Sequence, residues 1–294
     1  MTRRDALLEG TRILADGRQG GSESPSLDAS LLLAAALSIE KDRLLASLSD
    51  PIDEVGSGRF RSLLDKRAKG MPVAYILGHK EFWAHDFIVD ARVLIPRPDT
   101  ELLVEEALRS GDAIMKAREG GISCHEACTG SGCVALSVAI ERPAWRVSAS
   151  DLSPAALEVA ALNARRLLPA ARAGGDLPLH VADLFDLPGG QTYDLLLANP
   201  PYVESAEAQR LSEAWGEPLL ALDGGPDGLR PYASLARQAA RVLAPGGCVL
   251  LEADPGQAAA IRALLEGEGL VEVETLPDLA GHARVTRGRK PWTS

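Results

Sequence analysis

The chain has 294 residues, 46 % of them hydrophobic and 24 % charged, values of an ordinary globular protein long enough for two domains. Lys and Arg number 31 against 41 Asp and Glu, a net charge of −10 that argues against an enzyme gripping duplex DNA through its phosphates. Acids at Asp5 and Glu9 fit neither a signal nor a transit peptide, and the most apolar stretch, 27–39, is too short to span a bilayer and carries Asp28. A cytoplasmic protein is expected, with Cys124, Cys128, Cys133 and Cys248 as free thiols.

Residues 1 to about 75 read as a small helical bundle. Leu7, Leu8, Ile13 and Leu14 recur at helical spacing over 5–14, and 17–25 is a Gly/Ser-rich loop. Ser26 suits the cap of a helix through Leu31, Leu32, Leu33 and Leu37, and Val55, Phe60, Leu63 and Leu64 predict another, closed by Gly70 and Pro72. Glu81-Phe-Trp83 and Phe87-Ile-Val-Asp90 are short β-type runs around His85-Asp86, which predicts a hairpin with Trp83 in its core. In Ile95-Pro-Arg-Pro-Asp-Thr-Glu101 two prolines fix the entry of the chain. Asp99, Thr100 and Glu101 suit the positive start of a helix ending near Arg109.

From 122 onwards strands and helices alternate. Strands are predicted at 122–127, 146–150 (ending on Asp151), 179–182, 193–198, 248–253, 271–276 and 283–287. Helices are predicted at 133–140, after the Ser153-Pro154 start signal, at 228–243 with Ala-Pro-Gly-Gly247 as the stop, and at 256–266. The pattern is α/β: a mostly parallel sheet with helices on both faces, its last two strands antiparallel because no helix separates them.

In such sheets ligands bind beyond the carboxyl ends of the strands. Glu126-Ala-Cys-Thr-Gly-Ser-Gly132 lies between a strand and a helix. Glycines there let the backbone approach a ligand closely, and the helix start offers free N–H groups; a purely structural turn reads equally well. Asp151 stands 19 residues beyond Gly132, suited to ribose hydroxyls or to a helix cap. Asp183 could accept from an exocyclic amine, with Leu184 and Phe185 as apolar surface for a purine, or be a turn acid.

Asn199-Pro-Pro-Tyr202, after the strand at 193–198, is the most informative segment. Two prolines end ladder donation and stiffen the turn, leaving the Asn199 oxygen and the Pro200 carbonyl to accept both N–H bonds of one planar NH2 group. Tyr202 can pack against that group. Such nitrogens are poor nucleophiles because their lone pair is delocalised. Holding one in attack geometry is worth about 7–11 kcal/mol, and no strong base is needed because the alkylated nitrogen sheds its proton readily.

This combination resembles class I S-adenosylmethionine-dependent methyltransferases that modify planar NH2 groups. Gly70-Met-Pro-Val-Ala-Tyr-Ile-Leu-Gly78, Leu94-Ile-Pro-Arg-Pro-Asp-Thr-Glu101, Glu217-Pro-Leu-Leu-Ala-Leu222, Gly225-Pro-Asp-Gly-Leu229, Leu251-Glu252 with Gln257, and Asp278-Leu-Ala-Gly-His-Ala-Arg284 are similar to the HemK/PrmC family, over residues 26 to 288. The resemblance implies a Rossmann-like seven-stranded class I methyltransferase domain at 98–294, a β-hairpin linker at 79–97 and a helical substrate-recognition domain at 1–78. It implies methylation of the glutamine N5 in the Gly-Gly-Gln loop of peptide chain release factors. S-adenosylmethionine would be held by Glu126, Cys128, Thr129, Gly130, Ser131, Gly132, Asp151, Asp183, Leu184 and Asn199. Asn199, Pro200 and Tyr202 would be catalytic and, with Pro201, would bind substrate. Glu126 and Cys128 replace the family's usual Asp and first Gly, and a small Cys replaces Gly only where its φ stays negative.

The rivals are methylation of a ribosomal-protein glutamine, adenine-N6 methylation of DNA on a flipped base, and a non-catalytic module docking on a translation factor. The cysteines are spread over strand, loop and helix, so no metal is expected. A monomer working on a protein, without nucleic acid or membrane, is the expected form.

Overall fold

A computed structural model describes residues 1–16, 24–117, 120–169, 173–187 and 190–292. It divides into two compact units, Met1–His79 with Arg210–Gly216, and Lys80–Gln209 with Glu217–Ser294. No described helix is long and apolar enough to cross a membrane.

The first unit contains α1 (Arg3–Ala15), α2 (Pro25–Leu37), α3 (Lys41–Ala46), α4 (Glu54–Ala68) and α5 (Val73–Leu77). Leu14, Leu32, Leu33, Leu44, Phe60 and Leu64 form its core. Thr2 and Asp5 close a capping box on α1, and Asp53 caps α4 through the Gly56 N–H at 2.7 Å. Gly10 lets α1 approach the Phe60 ring, since a Cβ there would lie 2.7 Å from it. Helix α2 starts with Pro25 after Ser24, not behind Ser26: the fixed φ of proline suits the first helical position. The loop expected at 17–25 lies mostly outside the described residues.

The chain enters the second unit along β1 (His79–Phe82), followed by β2 (His85–Ile88). The hairpin turns at Trp83-Ala84, both at positive φ (50° and 56°), so His85 and Asp86 belong to the second strand. Bonds from the Trp83 N–H to Glu101 and from its indole to Glu141, both 2.9 Å, offset that strain. A 3₁₀ turn at Pro98–Thr100 leads into α6 (Glu101–Ala117), which runs two turns past Arg109. It continues through Gly111 because the bare Cα there accommodates the Trp145 ring, 2.1 Å from where a Cβ would stand.

The remaining elements are β3 (Ser123–Ala127), α7 (Cys133–Glu141), β4 (Arg146–Asp151), α8 (Pro154–Leu167), β5 (Leu179–Val181), β6 (Tyr193–Ala198), α9 (Ser205–Trp215), α10 (Arg230–Val242), β7 (Leu243–Glu252), α11 (Ala258–Gly267), β8 (Val271–Pro277) and β9 (Ala283–Arg289). The seven-stranded sheet has the order β5-β4-β3-β6-β7-β9-β8. Its first five strands are parallel, and β9 is antiparallel to both neighbours, in agreement with the sequence reading. The order reverses between β3 and β6, which places the ligand-binding crevice at their carboxyl ends. Two differences stand out. Helix α10 ends just ahead of Ala-Pro-Gly-Gly247, as expected, but that segment already lies inside β7, absorbed by a register shift against β6. Helix α9 was not expected; it buries only Ala208 and so carries a weak pattern.

Candidate active site

The loop after β3 is tied in from three sides. The Thr129 N–H donates to the Ser150 carbonyl at 3.0 Å. Glu126 Oε2 accepts the Thr129 hydroxyl at 2.5 Å and the Ala135 N–H at 2.9 Å, bracing the loop and the first turn of α7. Burial pushes the Glu126 carboxyl up to about 8. Gly130 and Gly132 take positive φ, and Gly130 faces open space. Cys128 corrects the sequence expectation: its φ is +57°, in the left-handed region, because the chain must bend there as it leaves the strand.

At the tip of β4, Asp151 accepts the Gly130 N–H through Oδ2 and the Ser153 N–H through Oδ1, both at 2.9 Å. Ser153 itself caps α8, so Asp151 serves the loop as well as the helix start. Asp183 is exposed, and Leu184 is half-buried at φ +57°. Phe185 departs from expectation: it is fully buried in the core, its N–H held by Gln238 at 2.8 Å, and offers no surface to a purine.

These groups line one cavity of about 410 Å³. Glu126, Cys128, Thr129, Gly130, Ser131, Asp151, Asp183 and Leu184 form one wall, and Thr100, Asn199 and Pro201 another. Gly132, Pro200 and Tyr202 do not line it. Pro200 is buried, and Tyr202 is half-buried with its phenol pushed up to about 12 by burial. The Asn199 amide Nδ2 donates to Thr100 Oγ1 at 3.2 Å, and the Thr100 hydroxyl donates to Glu252 Oε1 at 3.1 Å.

Several residues of this environment were not singled out from the sequence as site residues. In the sequence Thr100 reads only as part of a helix start, and Glu252 lies in a quoted motif without a role. Buried Glu217 accepts the Ile95 N–H at 3.0 Å and Arg97 at 2.5 Å, fixing the segment that leads to Thr100. Asn163, buried in α8, accepts the Ile88 N–H at 2.7 Å and donates to the Ile88 and Ser131 carbonyls at 3.0 and 2.9 Å, joining the hairpin to the loop. A lone helical Asn gives no sequence signal of that kind. Among the described residues no group of three His, Cys, Asp or Glu is arranged to hold a metal ion.

The cavity fits S-adenosylmethionine. A glycine at 130 leaves room for close backbone approach, Asp151 keeps acceptor capacity for hydroxyls, and the acids Asp151 and Asp183 suit a cationic sulfonium. Sheet order, bent loop and the two strand tips around one cavity define a class I S-adenosylmethionine-dependent methyltransferase. Residues 5–78 match the PrmC N-terminal domain. The release factor glutamine methyltransferase of Moorella thermoacetica is 43 % identical over 286 residues, 97 % of each chain. That of Cereibacter sphaeroides is 40 % identical over 274 residues, 92 % of this chain and 93 % of its own. A methyltransferase structure from Pyrococcus furiosus aligns with 80 % of this chain and 99 % of its own at a TM-score of 0.49 and 19 % identity. The chain belongs to the release factor glutamine methyltransferase family.

Proposed function

We propose that this protein methylates the side-chain nitrogen (N5) of the glutamine in the Gly-Gly-Gln loop of a peptide chain release factor. The observation that carries the reading is that Asn199 and Pro201, at the tip of β6, open onto the same cavity as Asp151 and the glycine-bent loop. A planar amide offered by a protein loop would thus meet the cofactor site at an amide-binding turn.

Bound S-adenosylmethionine supplies an electrophilic methyl group on a sulfonium. The 128–132 loop, Glu126, Asp151, Asp183 and Leu184 hold it. Asn199 Oδ1 and the Pro200 carbonyl accept the two N–H bonds of the glutamine amide, Pro201 adds a wall, and Tyr202 flanks the amide plane. Transfer would exchange the methyl group's C–S bond for one N–C bond, and the amide nitrogen would then release a proton to solvent. The helical segment 1–78 is assigned to recognition of the release factor and 79–97 to the link with the catalytic domain at 98–294. The protein works as a monomer in the cytoplasm on a protein substrate.

The test is mass spectrometry of the Gly-Gly-Gln peptide after incubation of a release factor with protein and S-adenosylmethionine. A gain of one methyl group on the glutamine is expected. An unmodified peptide, with label appearing in a ribosomal protein or in DNA instead, would refute the assignment.

A further inference from the structure

Asn199 can serve as an acceptor only if its oxygen, not its NH2, faces the incoming amide. The two ends of an Asn side chain have almost the same shape, so hydrogen-bond partners must decide between them. Through its Nδ2, Asn199 meets Thr100 Oγ1 at 3.2 Å, and Thr100 meets Glu252 Oε1 at 3.1 Å. Thr100 and Glu252 are almost completely buried. Glu252 Oε2 is buried without a hydrogen-bond partner.

A hydroxyl has one proton to give. An ionised carboxylate is acceptor-only, so it takes that proton. Thr100 can then only accept from Asn199, the Asn199 NH2 is drawn inward, and Oδ1 is left outward. We infer that Glu252, acting through the Thr100 hydroxyl, sets the direction of this hydrogen-bond chain and so makes Asn199 an acceptor toward the substrate. Glu252 and Thr100 are positioning residues, and the inference rests on the functional reading above.

Protonation on the oxygen that meets Thr100 reverses the chain. Glu252 protonated at Oε1 donates to Thr100, which frees the Thr100 proton for Asn199 Oδ1 and turns the NH2 outward. Two donors would then face each other at the substrate amide. Burial pushes Glu252 up to about 7, against the pull of Thr100, Arg284 and Asn199. Asp99, Tyr202, Tyr232 and Cys133 are the other ionisable groups facing it, and Arg284 is shared with Asp99 at 3.0 Å.

The experiment uses the full chain with a release factor and S-adenosylmethionine. Thr100→Val keeps the shape and removes the hydroxyl. It is expected to lower kcat about a hundredfold, while KM for the release factor and the calorimetric Kd for S-adenosylmethionine stay near wild type. Thr100→Ser should restore kcat close to wild type. Wild-type kcat should fall as pH drops below about 7, and Glu252→Gln, which has no proton to gain, should be slow and flat over that range. A Val variant with wild-type kcat, a Ser variant as slow as Val, or a Gln variant with the wild-type pH profile would each overturn the inference. A wild-type protein that leaves the Gly-Gly-Gln peptide unmethylated would overturn the functional reading itself.

Discussion

The side chain of Gln257 donates to the backbone carbonyl of Tyr202 at 3.0 Å, and Gly228 packs so closely on that carbonyl that a Cβ would stand 2.2 Å away. The end of the Asn-Pro-Pro-Tyr turn is thus clamped by residues that never meet the cavity. Gln257→Ala removes one bond worth about 1 kcal/mol and should slow turnover about fivefold at unchanged cofactor affinity. Gly228→Ala adds a clash at φ +70° and should cost both turnover and thermal stability. Steady-state kinetics beside calorimetry separates the two, and normal kinetics in Gly228→Ala would show that the clamp has no role.

Asn199→Ala should abolish methyl transfer and leave S-adenosylmethionine binding largely intact, because Asp151 and the 128–132 loop keep their own bonds. Turnover and isothermal titration on the same preparation test this. Retained turnover would remove Asn199 from the mechanism.

Cys128 sits in a conformation that costs an L-residue about 1–2 kcal/mol. Cys128→Gly relieves that strain, against the lost packing of a small side chain and the greater freedom of glycine in the unfolded chain. We expect the thermal midpoint to rise by about 2 °C, with cofactor binding kept. A lower midpoint would mean that the sulfur's contacts outweigh the strain.

Burial raises Glu126 from 4.5 to about 8, so the folded protein holds a proton that the unfolded chain releases. The stability this confers is complete below pH 4.5 and is lost as pH rises through 8. Glu126→Gln keeps an acceptor for Thr129 and Ala135 and cannot ionise. Thermal midpoints measured from pH 5 to 9 should therefore fall more steeply for wild type than for the variant. Parallel curves would show that Glu126 does not carry the proton.

Much of the catalytic fold was legible because local signals and tertiary demands agree there. The strand at 193–198 is an apolar run buried on both faces, Ser153-Pro154 is a helix start by geometry alone, and the antiparallel final pair follows from the missing crossover. Misreadings occur where a distant partner overrides local preference. Gly111 continues a helix because the Trp145 ring needs its space, Pro245 runs inside a strand through a shifted register, and Trp83-Ala84 make a turn that their own propensities oppose. The site was legible as a set of strand-end residues. The supports behind it, Thr100, Glu252, Glu217 and Asn163, belong to segments far apart in the chain, and their meaning appears only on folding.

The position of β9 between β7 and β8 has a consequence for biosynthesis. When β8 emerges from the ribosome, its native pairing edge does not exist, because its future neighbour β9 has not yet been made. Five parallel strands can assemble as they appear, but β8 must wait for residues 283–289 and then dock together with them as a finished ribbon. Arg284 travels in that ribbon, so its ion pair with Asp99, next to Thr100, forms only when the ribbon docks.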